Sequence, residues 1–542
     1  MQEDQINLGI VMAGAVSAGA YTAGVIDFLT EALDVWEANK KINDGPKHHV
    51  NLKVITGASA GGMTAGILAK MLYKNFEHFH YKNNFTPNND LYKAWVEEVS
   101  FQELLDTDDI ENDNVKAILN GNMVKRIAEN LIVKDDHFKN KHQKIRDYVD
   151  ENLEVYYTIA NLKGIPYDVT FKGNSSKVHR IYTYSDYIHF KINKYGNLEY
   201  GRNTNYSNEE VVQLYASSAI ATGAFPIGLP AVNINRSAFD YSDRYYQIPN
   251  DQGCLTRATI SPDWNEADLQ KFDFVAVDGG TFNNEPFNLA FQQLQNDTNS
   301  QKAIIMVDPF PNDTTFDVNK AMTTDLLPVL GNLLKSLLGQ ARFKIEDLYK
   351  AFNENSNDRF LVAPKRADSY TAFPIACGYL DGFSGFLDKR FRRHDYQLGR
   401  RNCQRFLTRY FRLPVDNPLF KNWDEATKKD YLIIDQDKEY LPIIPVVAGL
   451  QDEIPQPSYP IYTEKEVSSF TKIIEKRIEA IFKSFASKID GWLLKSAVKL
   501  LFRFVKKRIS KALIKAMNAN LQGGNNAHLK VGLIRPKELK DI

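Results

Sequence analysis

A serine flanked by small residues stands at residues 57–61 of the 542-residue chain, in the order Gly57-Ala58-Ser59-Ala60-Gly61. The pattern G-x-S-x-G is typical of a nucleophile elbow, a sharp turn that presents a reactive serine hydroxyl at the end of a strand. The turn forces the serine into a strained backbone conformation, so its neighbours must be small. We therefore expect Ser59 to be a nucleophile, with Gly57 and Gly61 supporting the turn.

The segments on either side of Ser59 predict the strand and the helix that such a turn connects. The apolar and β-branched residues within 50–56 are typical of a buried strand, and residues 62–72 carry apolar residues at helical spacing. This arrangement places the hydroxyl near the positive end of a helix dipole. The alternative is a small-residue turn that only packs a helix closely against a sheet.

An aspartate, Asp278, follows another predicted strand at residues 272–277 and precedes Gly279 and Gly280. The carboxyl ends of strands are where α/β folds place their functional groups. A serine hydroxyl needs an adjacent base to become an effective nucleophile, which makes Asp278 the candidate general base. The alternative is an aspartate that only caps the following loop.

Small residues also follow the first predicted strand, residues 6–12, in the run Gly14, Ala15, Val16, Ser17 and Ala18. A turn of this kind before a helix leaves backbone N–H groups free to bind an anion. The run lacks the spacing of a phosphate-binding loop, which favours an oxyanion hole for Ser59. Ala15 and Val16 fit this role if their φ angles are negative.

Composition narrows the class of protein. The chain is 43% hydrophobic and 12% aromatic, as in a well-packed globular protein, and its 67 basic residues balance its 67 acidic residues. We therefore expect no nucleic-acid partner. The three cysteines, Cys254, Cys377 and Cys403, are too few and too scattered for a disulfide framework or a zinc site, and we expect neither a metal nor a cofactor. With no signal-peptide pattern and no long apolar stretch, the expected location is cytoplasmic, at most at a membrane surface.

Strands that alternate with helices over residues 6–310 predict an α/β fold with a largely parallel central sheet. We expect a catalytic domain at residues 1–315, with an insertion at about 76–150, followed by a mixed and helical extension at 316–460. The leucine-rich helix predicted at 326–338 either packs in the core or covers the site. The arginine-rich run at 390–412 either binds phosphate head groups or forms a solvated or salt-bridged face.

The remaining residues, 461–542, are predicted to form a basic helical tail. Residues 491–520 carry eight lysines and arginines, no acidic residue, and apolar residues at helical spacing. A helix of this kind either binds an anionic membrane surface or docks its apolar face on the protein.

Three separated stretches together resemble the patatin-like phospholipases: the elbow at 57–61, the triplet Asp278-Gly279-Gly280, and residues 216–219 with the following Phe225-Pro226. The resemblance covers about residues 6–310. It implies a three-layer α/β fold with a helical carboxyl-terminal extension. It also implies a serine acyl hydrolase that cleaves ester bonds of lipids through a Ser59–Asp278 dyad, without a catalytic histidine.

One stretch departs from the family pattern. The oxyanion loop of the family usually reads G-G-G-x-[RK]-G, whereas this chain has Ala18 in the basic position, which resembles a divergent bacterial-type branch. Two alternatives follow. One is a catalytically silent, membrane-associated scaffold of the same fold. The other is a Ser-His-Asp esterase for small soluble esters, for which His394 and His528 are the histidines after Asp278.

Overall fold

The computed structural model has a central β-sheet with helices on both faces, and it describes residues 4–42, 45–82, 86–110, 114–134, 146–169, 179–201, 206–242, 244–249, 255–264, 272–295, 301–311, 322–342, 358–367, 374–488 and 506–521. The strands are β1 (Gln5–Met12), β2 (His49–Gly57), β3 (Val149–Val169), β4 (His179–Asn193), β5 (Leu198–Tyr200), β6 (Val232–Arg236), β7 (Tyr245–Pro249), β8 (Leu255–Thr259), β9 (Phe272–Asp278), β10 (Gln301–Val307), β11 (Arg359–Val362), β12 (Arg412–Pro414), β13 (Ile433–Asp435) and β14 (Lys438–Pro442). The α-helices are α1 (Gly19–Lys40), α2 (Ala60–Met71), α3 (Asp90–Tyr92), α4 (Phe101–Leu104), α5 (Asn122–Ala128), α6 (Asn208–Thr222), α7 (Phe287–Gln295), α8 (Leu326–Arg342), α9 (Ser384–Leu387), α10 (Lys389–Arg409), α11 (Glu425–Asp430), α12 (Glu464–Ser469) and α13 (Thr471–Ser487).

The central sheet contains nine strands of the described chain, in the order β11-β10-β1-β2-β3-β4-β5, and β9 pairs with both β3 and β6. Strands β11, β10, β1, β2 and β3 are parallel, whereas β4, β5, β6 and β9 join in antiparallel pairs. Strands β1 and β2 are neighbours, with Met12 opposite Gly57. The turns after both strands therefore lie at the same edge of the sheet. The predicted α/β fold is confirmed, with antiparallel strands added on one side of a parallel core.

The two faces of the sheet are both covered, which gives three layers. Val11 and Val54 pack with α7 on one face, whereas Ile10 and Ile55 pack with α1 and α2 on the other. Successive side chains of a strand point to opposite faces, so strands that are buried on both faces need continuous apolar runs. This requirement explains the apolar run at residues 8–12, which ends β1, and the adjacent Val54 and Ile55 of β2.

The segment between α2 and β3 contains the short helices α3, α4 and α5 and two single π-helical turns, Lys93–Glu97 and Glu129–Val133. It is polar on average, but Trp95, Leu104 and Met123 are buried in the main core. This segment, which the sequence predicts as an insertion, therefore packs its apolar residues into the main core.

The carboxyl-terminal third packs on the rest of the protein through the contact between helices α1 and α10. A Cβ added to Gly24 would lie 2.0 Å from the carbonyl oxygen of Tyr396, so the two backbones are in direct contact. The buried Arg400 of α10 forms ion pairs with Asp27 and Glu31 of α1. The arginine-rich run is thus salt-bridged and in part buried at this helix interface.

Helix α8 presents an apolar stripe to solvent. Leu326, Val329, Leu333 and Leu337 recur at helical spacing, and 45–80% of the surface of each is exposed. The core-packing interpretation of this helix is therefore wrong for these four residues. The helix lies beside the short turn Gly279–Thr281 that follows β9.

Residues 506–521 form a helix that docks one side on the protein. Ile514, Met517 and Leu521 pack against the main core, and the Asn520 side chain accepts a hydrogen bond from the Leu380 N–H at 2.9 Å. The other side exposes basic residues: Lys507, Arg508, Lys511 and Lys515. The first half of the predicted basic helix, residues 491–505, lies outside the described residues. Among the helices that the structure describes, none is long and apolar enough to span a bilayer.

Candidate active site

Ser59 occupies a strained turn between β2 and α2. Its φ and ψ angles are 51° and −128°, a conformation that residues other than glycine rarely adopt. The turn is pressed against the end of β1, because the Ala58 N–H donates to the Met12 carbonyl at 3.1 Å. A Cβ added to Gly61 would lie 2.2 Å from the same carbonyl oxygen, so only glycine fits there.

Asp278, the last residue of β9, contacts the Ser59 side chain directly. The Ser59 Oγ donates a hydrogen bond to Asp278 Oδ2 at 2.6 Å. The other carboxylate oxygen accepts the Gly280 N–H at 2.7 Å, and the Asp278 N–H donates to the Ala224 carbonyl at 3.0 Å. These contacts fix the orientation of a buried carboxylate toward a serine hydroxyl.

Thr222, the last residue of α6, supports the same turn. The Ser59 N–H donates to the Thr222 Oγ1 at 3.0 Å, and Thr222 is fully buried. Sequence reasoning missed this residue, because a single threonine at the end of a helix belongs to no catalytic motif. The available signal was its position directly before Gly223, in the stretch between residues 216–219 and Phe225.

The loop at residues 14–18 follows β1 and approaches Ser59. A Cβ added to Gly14 would lie 3.0 Å from Ser59 Cβ, which shows how close the two turns are. Three of its N–H groups already have carbonyl acceptors: Gly14 donates to Asn284, Ser17 to Gly382, and Ala18 to Ala15, at 2.8–3.2 Å. Within the described part of the chain, the Ala15 and Val16 N–H groups donate to no acceptor.

Val16 departs from the expected backbone geometry. Its φ angle is +48°, whereas a negative angle is expected there; the φ angle of Ala15, −147°, has the expected sign. The reason lies one residue later, where the Ser17 N–H and the Ser17 hydroxyl both donate to the Gly382 carbonyl and so fix the direction of the chain. A β-branched residue at positive φ is strained, and such strain is concentrated at functional sites.

An apolar cavity opens beside Ser59 and Asp278, and both residues line it. Several parts of the chain form its wall. Helix α2 contributes Met63 and Ile67, and the carboxyl-terminal third contributes Phe383 and Phe386. The loop at 14–18 contributes Val16, the stretch at 223–229 after α6 contributes four residues, and the middle segment, between α2 and β3, contributes eight. The lining from the middle segment consists of Ala94, Trp95, Val99, Leu104, Leu119, Met123, Val124 and Ile127. Sequence reasoning missed this wall, because its members are far apart in the chain and carry no motif.

The described histidines do not take part in this arrangement. Both ring nitrogens of His394, on α10, are engaged: Nδ1 contacts Asp395 Oδ1 at 2.6 Å, and Nε2 contacts the Arg366 guanidinium at 2.6 Å. The described residues that line the cavity include no histidine. His528 lies outside the described residues.

Among the described residues, no three His, Cys, Asp or Glu side chains lie close enough together to hold a metal ion. The groups that the structure brings together at the site are the Ser59 hydroxyl, the Asp278 carboxylate and an apolar cavity, with the loop at 14–18 beside them. This set matches nucleophilic acyl transfer, in which a base activates a serine and N–H groups stabilise an oxyanion.

Comparison with known proteins agrees with this geometry. The family model described as patatin-like phospholipase matches residues 10–291, which is more than half of the chain. The chain is also similar to an uncharacterized protein, y4iI, from Sinorhizobium fredii (strain NBRC 101917 / NGR234). The two are 31% identical, and the alignment covers 89% of this chain and 76% of that protein. The matched region contains Ser59, Asp278 and the loop at 14–18, and the chain belongs to the patatin-like phospholipase family of lipid acyl hydrolases.

Proposed function

We propose that this protein is a serine acyl hydrolase that cleaves carboxylic ester bonds of lipids through a Ser59–Asp278 dyad. The observation that carries the proposal is the 2.6 Å hydrogen bond from Ser59 Oγ to the Asp278 carboxylate. Both residues line the apolar cavity, so an ester carbonyl bound there is within reach of the hydroxyl.

The reaction runs in two steps. The Ser59 Oγ bonds to the ester carbonyl carbon while Asp278 accepts the hydroxyl proton, and the carbonyl oxygen becomes an oxyanion. The tetrahedral intermediate collapses to an acyl-serine, and the leaving alkoxide takes the proton from Asp278. In the second step Asp278 accepts a proton from water, which attacks the acyl-serine. The carboxylate then returns this proton to Ser59 as the fatty acid leaves.

In this mechanism, only two residues of the loop at 14–18 contribute N–H groups to the oxyanion hole. Because Gly14, Ser17 and Ala18 donate to carbonyl oxygens of the protein, the Ala15 and Val16 N–H groups are the donors that this loop offers to a substrate. A single donor of this kind is typically worth about 10²–10³ in rate.

The cavity favours a substrate with a long acyl chain. Its wall is almost entirely aliphatic and aromatic, and transfer of an acyl chain from water to such a wall is favourable by about 0.8 kcal/mol per CH₂ group. A long acyl chain buries more of its surface against this wall than a short-chain soluble ester does, which favours lipid substrates.

Hydrolysis assays separate this proposal from its two alternatives. Purified protein is expected to hydrolyse a long-chain 4-nitrophenyl ester, and Ser59→Ala is expected to abolish the reaction. A silent scaffold would show no Ser59-dependent hydrolysis. In a Ser-His-Asp esterase, His394→Gln would abolish activity, whereas we expect this variant to remain active because His394 contacts Asp395 and Arg366 instead of Ser59.

We further propose that the substrate is reached at an anionic membrane surface. The helix at 506–521 exposes four basic residues and ends where Asn520 accepts the Leu380 N–H. The loop that follows Leu380 leads directly to Phe383 of the cavity wall. The exposed apolar stripe of α8 lies beside the turn after Asp278. Basic and apolar surface near the mouth of an acyl cavity suits a bilayer that contains anionic lipids.

A further inference from the structure

Ser17 connects the loop beside Ser59 to a segment that lies 365 residues further along the chain. Its hydroxyl donates to the Gly382 carbonyl and accepts the Gly385 N–H at 3.1 Å. Its backbone N–H donates to the same Gly382 carbonyl at 3.2 Å. Ser17 is fully buried, so water cannot replace these three hydrogen bonds.

The segment at 382–385 is shaped to meet this loop. Leu380, Asp381 and Gly382 have φ angles of 56°, 52° and 91°, an unusual run of left-handed residues. A Cβ added to Gly382 would lie 3.2 Å from Val16 Cβ, and one added to Gly385 would lie 2.5 Å from Ser17 Oγ. The two backbones therefore approach each other as closely as glycine permits.

Other parts of the carboxyl-terminal third hydrogen-bond to the residues that precede this segment. The Asp395 carboxylate of α10 accepts the Ala376 and Cys377 N–H groups at 2.7 and 2.8 Å. Helix α10 in turn packs against α1, the helix that follows the loop at 14–18. The Asn520 side chain accepts the Leu380 N–H. The anchor of Ser17 is thus fixed by two separate helices.

We infer that Ser17 is a positioning residue that fastens the loop bearing the Ala15 and Val16 N–H groups to the carboxyl-terminal third, which is thereby part of the active site. The inference rests on the proposed function. Val16 keeps its φ of +48° because Ser17, the next residue, is held by Gly382 and Gly385. Without the hydroxyl, Val16 relaxes toward negative φ, and the peptide N–H groups turn away from the oxyanion.

The test compares Ser17→Ala with Ser218→Ala in the full-length protein. Ser218 is the matched control: it is fully buried on α6, and its hydroxyl donates within its own helix, to the Leu214 carbonyl at 2.6 Å. The readouts are kcat and KM for a soluble 4-nitrophenyl ester, the rate at which a fluorophosphonate labels Ser59, and the melting temperature. If Ser17→Ala fails to fold, Ser17→Cys retains a weaker donor and acceptor.

The expected result for Ser17→Ala is a kcat about 10- to 100-fold below wild type at nearly unchanged KM, with labelling slowed in parallel. The kcat of Ser17→Cys is expected to lie between those of Ser17→Ala and wild type, and Ser218→Ala is expected to keep the wild-type kcat. A purely structural role for Ser17 would lower the melting temperature of Ser17→Ala and leave its kcat at the wild-type value. This result would overturn the inference, while wild-type hydrolysis would still support the proposed function. Wild-type protein that neither hydrolyses the ester nor is labelled would overturn the proposed function and this inference together.

Discussion

The backbone N–H of Ser59 donates a hydrogen bond to the Thr222 hydroxyl at 3.0 Å, while the Ser59 side chain donates to Asp278. The end of helix α6 therefore holds Ser59 through its backbone N–H, and the end of strand β9 holds it through its hydroxyl. Because Ser59 has a φ angle of 51°, its turn needs such support to persist.

Thr222→Val keeps the shape of the side chain but removes the acceptor of the Ser59 N–H. We expect the buried, unpaired N–H to destabilise the fold by about 1–3 kcal/mol, and the displaced serine to lower kcat by about 10- to 100-fold. Thr222→Ser retains the Oγ and is the matched control, with kcat close to wild type. Equal kcat values in all three proteins would show that Thr222 does not position Ser59.

Ile127→Trp narrows the cavity, because Ile127 of α5 lines its wall although it lies far from Ser59 in the sequence. An indole that displaces two methylene groups costs the acyl chain about 1.6 kcal/mol at about 0.8 kcal/mol each, or more than tenfold in kcat/KM for a sixteen-carbon ester. A four-carbon ester should be unaffected. The control is Ile118→Trp, since Ile118 is 53% exposed and lies outside the lining. An equal loss for both chain lengths would contradict the assignment of the cavity to the acyl chain.

Charge reversal at Lys511 and Lys515 tests membrane binding. Each exposed lysine is worth about 1 kcal/mol near an anionic surface, so Lys511→Glu with Lys515→Glu should weaken vesicle binding by at least about 30-fold at low salt. The control is Lys421→Glu with Lys429→Glu, which makes the same change of charge at exposed positions on and beside α11. Point substitution is preferable to deletion of the tail, because deletion would also remove the Asn520 contact with Leu380. Unchanged sedimentation with phosphatidylglycerol vesicles would contradict the proposal.

His78 links stability to pH through its 2.9 Å contact with Asp27. Burial alone would lower the pKa of His78, but its hydrogen bond to Asp27 and the nearby Asp34 carboxylate raise it from 6.5 to about 9. The stability from this interaction is therefore fully present below about pH 6.5 and is lost as the pH rises through about 9. We expect wild type to lose roughly 2–3 kcal/mol of unfolding free energy over this range. Urea unfolding should show a flatter pH dependence for His78→Gln, and identical profiles would contradict the assignment.

Asp27 sets the acid limit of the same cluster. Burial alone would raise the pKa of Asp27, but Arg400 and His78 lower it from 3.8 to about 2. Its contribution is present above about pH 4 and is lost as the pH falls through about 2. The cluster therefore stabilises the contact between α1 and α10 most strongly between about pH 4 and 6.5.

The sequence predicts Ser59 and Asp278 because Ser59 lies in a turn of small residues after a strand and Asp278 ends a strand before two glycines, and both features are local. The neighbouring parallel strands β1 and β2 also follow from local apolar patterns. The φ angle of Val16 could not be predicted, because Gly382 and Gly385 determine it from a distant part of the chain. The cavity wall could not be predicted for the same reason, because its residues, such as Trp95 and Phe383, are far apart in the sequence. Helix α8 was predicted by its spacing, but spacing does not tell which face is covered.

The dyad is tested most directly by fluorophosphonate labelling and peptide mapping of wild type, Asp278→Asn and Ser59→Ala, in the presence of anionic vesicles. Asparagine preserves the size of the side chain at position 278 but cannot accept the Ser59 proton. We expect wild type to be labelled at Ser59, Ser59→Ala to remain unlabelled, and Asp278→Asn to react about 10²–10⁴-fold more slowly. Labelling of Asp278→Asn at the wild-type rate, or no labelling of folded wild type, would contradict a Ser59–Asp278 dyad.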